Sequence, residues 1–378
     1  MRLSRILMRQ IAMETSTYTV LAFTAVVLTL LGQNLIRRMD ALTTIGLTSE
    51  DLLVVIGSLI TMLTPYAIPI AFLFGCLVCL RRMAADGEIL AMQSNGIGTT
   101  TLLVPTAALG LCISLLCGYL TVFAEFDARR KLTTVFKQAA IRGGGFEAGS
   151  FRNLGQKIVY VNDHNREGDL EGVMIIDYSN PKMLLRVFAE AGKVYFDETT
   201  QLLHFKLRQG DIHLQQAGQG KDKMRRLAFD DFDFPYDISH LLGGAFAPNR
   251  PRQMSIQELT NVIELAKDEN LEDIPTLHEN DPSAYVIERQ RRFTLPLVPL
   301  LFALIAVPLG QRASGGGRAW GVVLCIAVVT LYYVAVIGSE SLVKGDFLPA
   351  QIALWIPNAL LAGLAAVMII RDETAAPQ

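Results

Sequence analysis

"RRMAADGEILAMQSNGIG", residues 81–98, breaks an apolar run with two arginines, an aspartate and a glutamate. Apolar chain flanks it at 52–80 and at 99–123. Each flank supplies the roughly 20 residues that a helix needs to cross the hydrocarbon core of a bilayer. The charged stretch is therefore a connector that returns to water between two crossings, because its side chains would be costly in lipid. Further apolar runs lie at 18–36, 293–309, 319–338 and 348–370. The layout is three spans, a long polar insert, then three spans.

Composition agrees. Of 378 residues, 51% are hydrophobic and 19% charged, against about a quarter charged in a soluble globular chain. Mean hydropathy is +0.35. A net charge of −2 and the lack of a basic domain give no footprint for nucleic acid. All five cysteines (Cys76, Cys79, Cys112, Cys117 and Cys325) fall in apolar runs, so the insert has no disulfide framework. Cys76 and Cys79 form C-x-x-C without a redox fold around them, and read as buried thiols.

Several local expectations follow. Pro65 and Pro69 in the overlong second run predict a kink or a non-spanning turn. Asp281-Pro282 reads as an N-cap and first helical residue, so the fourth span is expected to start in water and run inward. The first run is too long for a signal peptide and lacks a small-residue cleavage site. Before it, Arg2, Arg5 and Arg9 recur at i, i+3 and i+7, which predicts an amphipathic helix lying on the inner leaflet.

Charge sets the sidedness. Short loops on the amino-terminal side carry Arg2, Arg5, Arg9, Arg81, Arg82, Arg312, Arg318 and Arg371; the opposite short loops carry Arg37, Arg38 and Lys344. This places both termini in the cytoplasm and the insert outside. Arg129, Arg130, Lys131, Arg289, Arg291 and Arg292 flank the insert and run against that bias, but long loops cross largely regardless of charge.

The insert reads as β. "LLHFKLR" (202–208) alternates Leu203, Phe205 and Leu207 with His204, Lys206 and Arg208, and "FDDFDF" (229–234) sets Phe232 and Phe234 against Asp231 and Asp233. Other strands are expected at 157–161, 170–177, 184–191, 193–197 and 211–216, separated by turn-rich pieces such as "SNP", "DETT" and "QGD". Short strands at this spacing suggest a sandwich, a jelly roll or a partly open barrel. "SIQE" (255–258) is a capping box ahead of a helix with Ile256, Leu259, Ile263 and Ala266 on one face.

Chemistry is sparse. There is no H-E-x-x-H and no G-x-x-x-x-G-K-[ST], so neither a zinc protease nor a P-loop ATPase is indicated, and nothing calls for a cofactor. The span interiors are nearly free of the ionisable residues that proton and ion pathways use. An intramembrane enzyme is disfavoured, and any machine here moves something greasy or lacks its own energy source. Arg37 and Arg38 end the first span on the outer side, either snorkelling to the headgroups or clamping phosphate oxygens bidentately. Glu125 and Asp127, at the outer end of the third span, read as caps or partners for nearby basic residues.

In the opening stretch, Met83, Ala84, Gly87, Leu90 and Ala91 form a narrow stripe at i, i+1, i+4, i+7 and i+8, with Arg81, Glu88 and Met92 on another face. Asn95-Gly96 supplies a turn before the next span. A helix of this kind fits either docking in a partner's groove or simple filling of a loop with Glu88 solvated.

The combination resembles a known family. Three spans, "DGEILAMQSNGIG" (86–98), a β-rich insert, "RRFTLPLVPLLFALIAVPLG" (291–310) and "LPAQIALWIPN" (348–358) are similar to the lipopolysaccharide-export permeases LptF and LptG, over essentially the whole chain. "GQNLIRRM" (32–39) looks closer to LptF. The resemblance implies six transmembrane helices, three plus three, with an inserted periplasmic all-β domain of jelly-roll type. It implies a heterodimer with the paralogous permease subunit in the Gram-negative inner membrane, bound to a cytoplasmic ATPase dimer and a periplasmic jelly-roll bridge protein. Lipopolysaccharide would be the cargo.

By the same resemblance Glu88 matches the acid of the family's coupling helix, which seats in the ATPase. Asp86, Arg81, Arg82, Leu90 and Met92 surround it as candidate coupling residues. Arg37, and less securely Arg38, fall where the family carries basic residues near lipid phosphate. Leu203, Phe205 and Leu207 are candidates for an acyl groove. Small Gly87 beside the acid and the short outer loop "SESLVKGDF" (339–347) depart from the family pattern. The expected organisation is a membrane half at 1–123 with the coupling helix at 81–98, a β domain at 124–250, a helical linker at 251–292 and a second membrane half at 293–378. The expected role is a non-catalytic permease subunit driven by a separate ATPase. The alternative is a scaffold that passes an ATPase's motion to an envelope partner.

Overall fold

The computed structural model describes residues 2–37, 47–96, 98–141, 149–154, 156–164, 169–180, 183–197, 202–216, 223–236, 251–268, 283–311 and 319–375. Among them, six helical stretches are long and apolar enough to cross a membrane, and a six-stranded antiparallel sheet is inserted between the third and fourth. The architecture expected from the sequence is present. Two compact units comprise Met1–Gly32, Leu59–Ala128 and Pro251–Gln378 in one, and Gln33–Ser58 and Arg129–Arg250 in the other.

The first helix, α1 (Arg2–Arg37), is unbroken. The separate amphipathic helix expected over its first turns is instead continuous with the span. Nothing between Arg9 and Tyr18 stops a helix, since the hydroxyls there bond back within it. Ser16 donates to the Ala12 carbonyl at 2.7 Å, Thr17 to Met13 at 2.9 Å and Thr19 to Thr15 at 2.8 Å. Helix α2 (Ser49–Ala85) also runs through, with Pro65 and Pro69 inside it, so the non-spanning turn is not formed. A short helix α3 (Glu88–Ser94) precedes α4 (Thr100–Tyr119), which passes through a π turn at Leu120–Ala124 into α5 (Glu125–Ile141).

After the sheet come α6 (Ile256–Asp268), α7 (Ser283–Thr294), a 3₁₀ turn at Leu295–Leu297 and α8 (Val298–Gln311). Then follow α9 (Ala319–Lys344), a short α10 (Ala350–Ala353) and α11 (Ile356–Ala375). The capping box forms as read: Glu258 accepts from the Ser255 N–H at 2.7 Å, and Ser255 Oγ accepts from the Glu258 N–H at 3.2 Å. Leu259 and Ile263 are buried behind it. The fourth span begins at Ser283, ahead of its apolar run, as expected; Asp281-Pro282 lies outside the described residues.

In lipid there is no hydrophobic drive between helices, so small residues and shape decide the packing. Helices α2 and α8 supply most of the buried side chains, including Phe72, Leu73, Leu77, Phe302 and Ala306. A Cβ added to Gly110 of α4 would lie 2.9 Å from the Ala303 Cβ of α8, and one on Gly310 would lie 2.6 Å from the Leu80 Cβ. A polar tie closes the second half: Tyr332 donates to Asn358 Oδ1 at 3.0 Å, and Asn358 Nδ2 to the Thr294 carbonyl at 2.9 Å. Large apolar side chains such as Leu28, Leu115, Leu331 and Leu360 point outward, as lipid-facing surfaces require.

The sheet is a meander: β1 (Ser150–Leu154), β2 (Lys157–His164), β3 (Asp169–Asn180), β4 (Met183–Asp197), β5 (Leu202–Gln216) and β6 (Lys223–Tyr236) pair in sequential order. Two corrections to the sequence reading arise here. The pieces 184–191 and 193–197 are one strand, and so are 202–208 and 211–216. The polar "QGD" is not a turn but a point where the alternation slips by one residue.

On β4 the inward residues are Val187 and Ala189 before the slip, and Gly192 and Val194 after it. On β5, Leu203, Phe205 and Leu207 face inward first, and Gly210 and Ile212 continue that face through their pairing with Ala189 and Val187. Left-handed backbone at Gly172 (φ 61°) and Gln209 (φ 51°) marks the line along which the slip crosses the strands. Because every slip occurs at the same level, the apolar face continues through the bend. The sheet also rolls. Strands β2 and β6 are not neighbours, yet the Lys157 ammonium lies 4.6 Å from the centre of the Phe234 ring and 5.6 Å from that of Tyr236.

Candidate functional site

The connector between the second and third spans is built around one glycine. Arg81–Ala85 complete α2, and Gly87 then takes φ 76° and ψ 3° before α3 begins at Glu88. The Gly87 carbonyl accepts the Ala91 N–H at 2.9 Å, so the glycine starts the helix as well as breaking the chain's direction. This corrects the expected stripe, which treated 81–91 as one helix and therefore placed residues beyond Gly87 on the wrong face. Ile89 and Met92 are the buried pair of α3, at 3% and 9% exposed, whereas Leu90 is 70% exposed. Asn95 and Gly96 close the helix with a turn, Gly96 at φ 73°.

The candidate coupling residues thus divide. Arg81 and Met92 face inward. Asp86, Glu88 and Leu90 face outward, with the Glu88 side chain 38% exposed. Arg82 gathers the acids: its guanidinium lies 3.8 Å from Asp86 and 3.5 Å from Glu88. Its shortest pairing, 2.7 Å, is to Glu14 of α1, a residue the sequence reading passed over. The signal available was an acid inside the polar "METSTY" near the amino-terminal end of an apolar helix.

A second polar group lies within the membrane unit. Glu288 forms an ion pair with Arg291 at 2.7 Å and accepts from Arg292 Nε at 3.3 Å, and Arg252 approaches it at 3.8 Å. Arg291 also reaches Glu125 at 3.7 Å and lies 5.4 Å from the Tyr66 ring centre, while Tyr66 donates to Glu125 at 3.4 Å. Glu125 does partner a basic residue as read, Arg291 of the fourth span. The spacing in "ERQRR" (288–292), an acid with arginines at i+3 and i+4, was the signature of this group.

Arg37 is exposed as the last residue of α1; Arg38 lies outside the described residues. Leu203, Phe205 and Leu207 are buried on one face of β5, at 3%, 0% and 0% exposed. Leu203, Phe205 and Leu207 pair in register with Tyr236, Phe234 and Phe232 of β6. A separate groove of about 830 Å³ is lined by Phe151, Tyr160, Met174 and Phe188 together with Glu190 and Asp230, and does not include that trio. Outside the membrane unit, one carboxyl is clearly perturbed near the roll. Burial pushes the Asp177 carboxyl up, but hydrogen bonds from Ser179 and the Lys157 ammonium outweigh this and leave it below its ordinary value.

Among the described residues, no group of His, Cys, Asp and Glu is placed to hold a metal ion, and Cys76 and Cys79 are buried free thiols. A family model for the lipopolysaccharide export system permease LptF/LptG matches residues 9–371. A search of curated proteins gives no match.

Proposed function

The chain belongs to the lipopolysaccharide export permease family LptF/LptG, and from that premise we propose how its parts divide the work of transport. As a permease component it is a multi-pass inner-membrane protein. We assign it to the LptF side of the family on "GQNLIRRM" (32–39), with the paralogous permease as its partner. The connector and both termini face the cytoplasm, and the β domain faces the periplasm.

Docking of a cytoplasmic ATPase dimer is the reading carried by one observation. Helix α3 keeps Ile89 and Met92 inside while it turns Leu90 and Glu88 outward, so a short rigid helix offers an apolar knob beside an acid. Such a helix fits a groove with an apolar floor and a basic rim, where a charge-assisted contact sets register. ATP-driven closure of the partner then moves the spans.

The cargo explains the rest. Each CH₂ withdrawn from apolar surroundings costs about 0.8 kcal/mol in water, so a multi-acyl lipid needs a continuous apolar path. The rolled β face carrying Leu203, Phe205 and Leu207 supplies that path beyond the bilayer, and Arg37 meets phosphate at the outer surface. A periplasmic jelly-roll bridge protein receives the lipid. The test is purification from native membranes with identification of co-purifying chains and lipid. Expected are an ATPase, a second permease and lipopolysaccharide, with the ATPase lost from Glu88→Ala. An ATPase recovered undiminished with Glu88→Ala would sink the docking role. An ATPase recovered with no lipid would favour a scaffold.

A further inference from the structure

Helix α1 is held to the rest of the membrane unit along one narrow stripe, Ile11, Thr15, Ala22 and Val27, while Val20, Leu21 and Leu28 point away from the unit. Its closest attachment is near the inner end. A Cβ on Gly75 of α2 would fall 2.8 Å from the Thr19 N and 3.0 Å from the Thr15 carbonyl oxygen, so the two backbones approach as only glycine allows. Beside this clasp, Glu14 takes the shortest contact of the Arg82 guanidinium, at 2.7 Å. The same guanidinium serves Glu88 at 3.5 Å and Asp86 at 3.8 Å.

One cation is thus shared by carboxylates on α1, on the Asp86-Gly87 turn and on the docking helix. Glu14 and Glu88 both draw on the same nitrogen, Nη2, whereas Asp86 lies by Nη1, so the first two compete. A cation brought by the docked partner to Glu88 relieves that competition and tightens Arg82 on Glu14. We propose that the Glu14–Arg82 pair is the strut through which the docking loop moves α1, which makes Glu14 a positioning residue for transport. This rests on the docking role given to Glu88 above. Both side chains of the pair are 23% exposed, so water screens the contact partly and leaves it able to change strength.

The experiment uses the assembled, reconstituted complex, with spin-labelled unnatural amino acids at positions 28 on α1 and 360 on α11, both exposed. In the parent protein, ATP should change the 28–360 distance. In Glu14→Gln that change should vanish, and the ATP hydrolysed per lipid released should rise about tenfold, within the usual range of coupling between sites. Glu14→Asp should recover part of both readouts, which a merely structural role would not predict; Arg82→Gln should repeat the loss. A parent-sized distance change and an unaltered ATP cost in Glu14→Gln overturn the proposal, as does a parent protein whose 28–360 distance ignores nucleotide. Retention of the ATPase by Glu88→Ala marks failure of the docking reading instead, because the Glu14 variants are scored by distance and not by association.

Discussion

At Gly87 the backbone has φ 76°, a conformation that costs an L side chain roughly 1–2 kcal/mol. A Cβ there would meet nothing within 4 Å, so the cost is conformational and not steric. Gly87→Ala should therefore leave the fold intact and disfavour the turn that aims Glu88 and Leu90. At about 1.4 kcal/mol per factor of ten, ATPase affinity should fall about fivefold to thirtyfold, read by titrating the purified permease with the ATPase. Gly338→Ala, mid-helix in α9 with the same open space and no positive φ, is the control and should be neutral or slightly stabilising. Equal affinity for Gly87→Ala and the parent would show that the turn tolerates a side chain and that α3 is not aimed by it. This residue also explains the misplaced stripe: a helical period drawn through "DGE" assumes continuous helix, and one left-handed residue re-phases everything after it.

Single elements were readable wherever one face was buried along a regular repeat. The alternation in "LLHFKLR" placed Leu203, Phe205 and Leu207 on the buried side, and Ser255 with Glu258 announced the start of α6. Strand β1 escaped because "SFRNL" has no apolar alternation, and only its pairing with β2, from Ser150↔Val161 to Leu154↔Lys157, identifies it. The long strands were cut in two because a slip in period looks like a turn until cross-strand partners are known. The roll was also invisible, since the contact of Lys157 with Phe234 spans most of the insert.

That contact carries a prediction at this scale. Lys157 pairs with Asp177 at 3.2 Å, and the Asp177 carboxyl is held below its ordinary value by the Ser179 hydrogen bonds and this ammonium, against its burial. A carboxyl depressed in the folded state gives stability that is present above its unfolded value, about 3.9, and is lost as pH falls through the folded value. Denaturation of the full chain in detergent, followed by the strand signal, should show lower stability at about pH 3 than at about pH 5. Asp177→Asn should lower stability at the higher pH and flatten that dependence. Lys157→Met should cost about 0.5–2 kcal/mol through the lost ring contacts. An unchanged pH dependence in Asp177→Asn would assign the acid sensitivity to other carboxyls.

Across the whole membrane unit, the three-plus-three layout was plain from hydropathy, but what joins the halves was not. The join is polar. Tyr66 and Glu125 come from the second and third spans, Glu288, Arg291 and Arg292 from the fourth, and the π turn at Leu120–Ala124 precedes Glu125 directly. Such π turns re-aim the residues that follow, and they recur at functional positions. Glu288 is 4% exposed and Arg292 2%, so removing Glu288 takes the shared counter-charge from Arg291 and Arg292 in a place water does not reach. Breaking a buried pair by deleting one partner costs about 3–5 kcal/mol. Glu288→Gln should accordingly lower thermal stability in detergent sharply, and Arg291→Met should do so less, because Glu288 then keeps Arg292 and Arg252. The double variant should be less damaged than the sum of the two, by about 0.5–3 kcal/mol of coupling, because losing Arg291 as well removes one of the two guanidiniums that Glu288→Gln leaves without their carboxylate. Strict additivity in that cycle would mean that the two residues act separately and that Glu288 does not hold Arg291 against Glu125 and Tyr66.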